Sequence, residues 1–290
     1  MELSSRWPVK ALCGAMSISR SGFYKWRNRI NNPCKTVKKR MDDIILFEKY
    51  HDRYPSHGYR WLNAKIRMDT GLVVSDQYAH RCCKFAGIKS RSKHYRYRAP
   101  GERKRVFENM VMSSIKMDGP LQVVVSDMTA FWANRTYWEL TLYMDLWNNE
   151  IVGYGLSNRK GDRETYFEGL RKVIEKTKGI DGLGLILHTD QGSVYSSKSF
   201  NELLPTYHIT HSMSRAGTPT DNGAMEAING WAKTEMFVDF HVGKCEDVPA
   251  FIESYIRFFN EERPACTLGY LTPVAYRMLH EKKQKVSTKC

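Results

Sequence analysis

Apolar positions along this chain follow two different periods, and the change falls near residue 117. Before it, apolar residues recur at helical spacing between small-residue turns. Ala11 to Met16 is small and apolar, Ser19-Arg20-Ser21-Gly22 interrupts it, and Phe23-Tyr24-Lys25-Trp26-Arg27 resumes it. That predicts a helix, a turn and a second helix, closed by Asn31-Asn32-Pro33. Ile44, Ile45, Phe47 and Tyr50 suit one face of a further helix, followed by a turn at Pro55-Ser56-His57-Gly58. Leu62 and Ile66 mark the next helix. Gly71 to Ser75 is a turn with Ser75 as N-cap, and Tyr78, Arg81, Cys82 and Phe85 continue to Gly87. Both stretches have the outline of a helix-turn-helix.

After residue 117 the apolar residues form short runs. Leu121 to Ser126, Tyr137 to Leu146 and Glu150 to Leu156 read as three strands, the last two joined at Asn148-Asn149. Asp162 to Lys178 is amphipathic and predicts a helix. Gly184 to His188 and Tyr207 to His211 predict two more strands, with a short helix over Ser197 to Leu204 between them. Asn222 to Phe240 and Val248 to Phe259 predict long helices. The order implies an α/β layer fold with a mixed five-stranded sheet and flanking helices, preceded by an all-α region. The expected organisation is a helix-turn-helix-like segment over 1–35 and a helical domain over 36–90. A basic linker over 91–115, a core over 116–240 and a helical extension over 241–290 follow.

Charge sharpens this division. Residues 1–110 hold 25 Lys and Arg against 9 Asp and Glu, and the remainder holds 20 against 22. A basic arm on a near-neutral body points to a polyanion, and nucleic acid is the first choice. Lys89 to Arg105 is a basic stretch in which Tyr95 and Tyr97 interleave with Arg96 and Arg98, as suits a strand laid along phosphates. With 42% hydrophobic residues the chain is no disordered polypeptide. No apolar run approaches the ~18 residues of a membrane span. A start at Met1-Glu2 without an apolar block predicts a cytoplasmic protein. The seven cysteines are scattered without a Cys-x-x-Cys pair, so reduced thiols are expected and a zinc ribbon is not.

Three carboxylates stand where strands end or a helix passes: Asp127, Asp190 in His188-Thr189-Asp190-Gln191-Gly192-Ser193, and Glu226 in Asp221-Asn222-Gly223-Ala224-Met225-Glu226. Phosphoryl transfer by two divalent ions about 3.5–4 Å apart needs such hard oxygen ligands. Carboxylates of this kind serve equally as turn initiators and surface helix residues, so the residue types alone leave both readings open.

The motifs together resemble one family. Ser126-Asp127-Met128-Thr129, the pair Met144-Asp145-Leu146 and Ile151-Val152-Gly153-Tyr154, and His188 to Tyr195 are similar to the successive blocks of insertion-sequence transposases with a retroviral-integrase-like core. So are Ser212 to Arg215 and Asp221 to Glu226, with 35 residues between Asp190 and Glu226. Lys233-Thr234-Glu235, Asn260 to Pro264, Leu268 to Pro273, Arg20 to Trp26 and Gly58-Tyr59-Arg60 extend the likeness over nearly the whole chain. The nearest resemblance is to the downstream reading-frame product of the copy-out, paste-in family. The chain departs from the pattern at Gln191, at Ile228-Asn229-Gly230-Trp231 and at Ala265.

The resemblance implies a ribonuclease-H-like fold and a DNA transposase that cleaves element 3′ ends and transfers strands by transesterification. It implies Asp127, Asp190 and Glu226 as catalytic metal ligands for two Mg²⁺ or Mn²⁺ ions. Lys233 and Arg60 are then DNA contacts, beside Arg96 and Arg98. The implied partners are the insertion-sequence ends, target DNA, further copies of the chain, and an upstream reading-frame product joined by frameshifting. Two other readings share these features: a non-catalytic DNA-binding regulator of transposition, and a ribonuclease-H-like nuclease.

Overall fold

The computed structural model describes residues 6–91, 117–178, 180, 184–214 and 223–287, with backbone alone at 223–228 and 283–287. Five helices come first: α1 (Val9–Ala15), α2 (Arg20–Asn31), α3 (Lys35–Arg53), α4 (Tyr59–Thr70) and α5 (Asp76–Phe85). Ser19 caps α2 by accepting from the Gly22 N–H at 3.0 Å, and Ser75 caps α5 by accepting from the Tyr78 N–H at 3.2 Å. Helix α2 buries none of its residues, so α1 and α2 stand outside the main core.

The sheet follows: β1 (Val123–Ala133), β2 (Thr136–Asp145), β3 (Ile151–Ser157), β4 (Ile186–Thr189) and β5 (Thr210–Met213). Its spatial order is β3-β2-β1-β4-β5. The first three strands form an antiparallel meander, while β4 and β5 run parallel to β1. The mixed five-stranded sheet expected from the sequence is therefore present. Strand β1 runs well past Asp127, to Ala133. Asn134 and Arg135 both take positive φ, 45° and 63°, which closes a two-residue hairpin without a glycine to announce it.

The remaining helices are α6 (Glu164–Thr177), α7 (Lys198–Leu203), α8 (Gly223–Thr234), α9 (Val248–Glu261) and α10 (Pro273–Ser287). The helix expected over 222–240 is interrupted. After Thr234 the backbone winds into a π-helical turn over Glu235–Asp239. Helices α6 and α7 cover one sheet face, packing Leu170, Val173 and Phe200 on Val124, Tyr143 and Leu187. The other face packs Val125, Phe131 and Leu142 against Met236, Ile252, Tyr255 and Phe258, and this cluster continues into Phe47, Tyr54, Trp61 and Leu62 of the helical layer. Tyr54 stacks on Phe258 with ring centres 5.9 Å apart. Val124 and Val125 thus serve opposite faces, as strand alternation requires.

The edge strand β3 is closed by Asn260 of α9. Its amide accepts from the Ile151 N–H at 2.9 Å and donates to the Ile151 C=O at 3.0 Å, replacing a neighbouring strand. Among the described residues no helix is long and apolar enough to cross a membrane. The described cysteines are free thiols.

Helix α6 lies unusually close to β3 because Gly155 carries no side chain. A Cβ there would stand 2.0 Å from the Thr165 carbonyl oxygen, which is backbone and cannot step aside. Gly155→Ala is expected to lower unfolding stability by about 3 kcal/mol, read as a lower urea midpoint at unchanged slope.

Candidate active site

The parallel pairing of β1 with β4 sets Ser126 opposite Thr189. Asp127 is the next residue of β1, and Asp190 follows the last residue of β4. Alternation places Asp127 on the face of Val125, toward α8. Strand β4 ends at Thr189, so Asp190 is exposed and turns into a loop in which its Oδ1 accepts the Gly192 N–H at 2.9 Å.

Asp127 is half-buried and tightly held. Its Oδ1 accepts the Met128 N–H at 2.8 Å, and its Oδ2 accepts the Asn229 side-chain N–H at 2.9 Å. Asn229 lies on α8, one turn after position 226, and position 233 lies one turn further on the same side. Asn229 is 7% exposed, and its Oδ1 has no hydrogen-bond partner among the described residues. The orphaned, buried Asn229 oxygen next to the Asp127 carboxylate fits a site for a divalent cation, which prefers oxygen donors.

Lys233 is half-buried. Burial pushes its ammonium below the usual lysine range, and the Asp127 charge opposes that shift. Tyr166 of α6 is pushed up to about 12 by burial and then by the charges of Asp190, Glu139 and Asp127.

The structure brings Asp127 and Asn229 into contact, with Asp190 directly after β4 and Lys233 one turn beyond Asn229 on α8. Position 226 sits on the same helix backbone, its side chain outside the described ones. Among the described residues no three His, Cys, Asp or Glu side chains gather as a metal-binding group. Arg60 is elsewhere, on the exposed side of α4, where it reaches Asp76 at 3.9 Å and lies over the Tyr59 ring. Arg96 and Arg98 lie outside the described residues, as does Asp221. Asn229 was visible in the sequence only as a departure from a pattern; its contact with Asp127 spans 102 positions and leaves no local signal.

A polar chain backs the Asp190 loop. Asn201 donates its amide hydrogens to the Tyr195 and Ser197 carbonyls, so its oxygen accepts from His211 Nδ1 at 2.6 Å. The other ring nitrogen faces the Thr189 hydroxyl at 3.0 Å. Burial, then the neighbouring His188, push the His211 imidazole down to about 4 from 6.5. The folded state thus favours the neutral ring. Its contribution is complete above about pH 6.5 and is lost as pH falls toward 4, when the unfolded chain takes up the proton first. Between pH 7 and pH 4 the His211→Gln variant is expected to lose about 3 kcal/mol less stability than the parent in urea unfolding.

Residues 118–219 and 207–273 match the integrase core domain family. InsK of insertion sequence element IS150 from Escherichia coli (strain K12) is 29% identical over 279 residues, covering 95% of each chain. An uncharacterized transposase-like protein of Haemophilus influenzae is 30% identical over 208 residues, covering 71% of this chain and 94% of that one. A solved catalytic core domain of HTLV-2 integrase in complex with magnesium aligns at a TM-score of 0.41 and 19% identity, over 57% of this chain and 99% of that one. With the Haemophilus protein spanned almost end to end and the integrase core matched as far as residue 273, the chain belongs to the insertion-sequence transposases with an integrase-like catalytic core.

Proposed function

We propose that this chain cleaves DNA at the 3′ ends of an insertion sequence and joins the freed 3′-hydroxyl to a second phosphodiester. The observation that supports this reading is Asp127, one residue past the Ser126–Thr189 pair that precedes Asp190, hydrogen-bonded to the helix that bears positions 226, 229 and 233. Asp127, Asp190 and Glu226 would hold two Mg²⁺ or Mn²⁺ ions. When bound, the ions neutralise phosphate charge and ease deprotonation of the attacking water or hydroxyl.

The protein's own part is positioning. Hydrogen bonds from the Met128 N–H and the Asn229 amide hold the Asp127 carboxylate in one orientation. Asn229 supplies one of those bonds. Lys233, one turn beyond Asn229 on α8, would supply a cation for a terminal phosphate. Water and then a DNA hydroxyl are the nucleophiles, so no covalent protein intermediate is required. Arg60 on the helical layer, with Arg96 and Arg98 in the basic stretch, would grip phosphates along the DNA. Synapsis of two ends calls for further copies of the chain and for the upstream reading-frame product, with the chain acting at DNA in the cytoplasm.

Asp190→Asn and Glu226→Gln are each expected to abolish strand joining with Mg²⁺ while end-DNA affinity stays within about twofold. Joining retained in either variant would sink the assignment. Cut ends without joined products from the parent would make it a nuclease, and end binding with neither product a regulator. Independently of joining, Asn229→Leu should weaken Mn²⁺ affinity in calorimetry by about tenfold, because Asp127 loses its outer support. Unchanged affinity would remove Asn229 from the site.

A further inference from the structure

Helix α8 ends in a cluster of buried charge that the reaction itself does not use. The π-helical turn after Lys233 presents Glu235 and Asp239, whose side chains are 2% and 0% exposed. Buried carboxylates need partners, and the partners here come from two other parts of the molecule. From the C-terminal region, Arg263 donates to Glu235 Oε1 through Nε at 2.7 Å and through a terminal nitrogen at 2.6 Å. Tyr255 donates to Glu235 Oε2 at 2.9 Å. From the helical layer, Ser56 donates both its N–H, at 2.8 Å, and its hydroxyl, at 2.7 Å, to the two oxygens of Asp239. His57 places Nε2 3.4 Å from Glu235 Oε1 and 3.4 Å from Asp239 Oδ2, its ring stacked on Trp61 at 3.7 Å.

We propose that the turn 54–58 is a clamp on the helix carrying Glu226 and Lys233, with Ser56 and Asp239 as positioning residues; this rests on the transposase reading above. Asp239 is six residues beyond Lys233 on one continuous helical backbone, so whatever fixes Asp239 fixes the angle at which α8 crosses β1. The two Ser56 bonds are directional and converge on one carboxylate, so they resist sliding of α8 better than apolar packing would. Helix α4 starts immediately after the clamp, and exposed Arg60 is on its first turn. On the proposed reading, DNA held at α4 would therefore bear on α8 through Ser56 as well as through the shared apolar core. The motif around Gly58-Tyr59-Arg60 and the one at Lys233-Thr234-Glu235, far apart in sequence, become two halves of one contact. Asn260 to Pro264 joins them through Arg263.

The test uses the full chain and two variants, Ser56→Ala and Asp239→Asn. Amide hydrogen exchange over residues 229–239 is expected to speed up about tenfold in each, with the β1–β3 amides unchanged, because the loss opens α8 alone. Joining at saturating end DNA should fall about tenfold while the half-saturating DNA concentration stays within about twofold, the mark of lost positioning rather than lost binding. Should Asp239→Asn fail to fold, Ser56→Ala decides alone, since the Ser56 N–H and the carboxylate remain. Exchange over 229–239 at the parental rate overturns the proposal, and so does faster exchange with joining unchanged. If parent and variants alike join nothing, the transposase reading falls, and the exchange result still decides whether the clamp holds α8.

Discussion

The site depends first on one register, Ser126 against Thr189 in the parallel pair β1–β4. A slip of one residue would carry Asp127 to the face of Val124, where Leu170, Leu187 and Phe200 leave no place for a charge. A buried polar bond makes that slip expensive: Ser126 meets the Tyr195 hydroxyl at 2.6 Å. His188 against the Ser212 hydroxyl at 2.9 Å, and Thr189 against His211, pin the neighbouring β4–β5 register in the same way. The sheet is therefore pinned by directional bonds behind the carboxylates, while apolar packing on both faces supplies the bulk of the stability.

The second requirement is a helix laid across the same edge. Apolar contact does part of this, through Ala232 and Met236. It fixes the depth of α8 and leaves its rotation loosely defined, since a methionine adapts to many packings. Rotation is defined by charge. Arg263, whose guanidinium also lies over the rings of Phe259 and Trp231, can satisfy Glu235 from one direction only. Removing either member would strand the other in a dry interior, and that asymmetry makes the pair a strict constraint rather than a large source of stability.

Much of the sheet was legible in the sequence because its strands are short apolar runs bounded by turns, and the five of them lie close to their expected positions. The exceptions have local causes. Met128 to Ala133 continues β1 because its inward residues, Phe131 and Ala133, pack on the helical layer, and Asn134-Arg135 closes the hairpin without glycine. The end of α8 was read as α-helix because Glu235 to Asp239 keeps a helical apolar pattern; the π turn is imposed from outside, by partners 20, 28 and 183 residues away. The same distance hides Asn229. The spacing of acidic residues could be read along the chain, whereas the groups that orient them belong to other elements and become visible only when those elements pack.

The electrostatics of the edge follow from these constraints. Asp127 on β1 and Asp190 just after β4 carry like charges at one end of the sheet, and repulsion between them calls for an offset. The donors to them include one amide hydrogen from Asn229 and backbone N–H groups from Met128 and Gly192. Neutral donors orient the carboxylates without cancelling them, so a negative potential survives at the edge. A second lysine in place of Asn229 would satisfy Asp127 fully and leave nothing for a divalent cation to gain. On the proposed reading, an amide at 229 and an ammonium one turn later would keep the edge both ordered and open to a cation, with a positive group at hand for a phosphate.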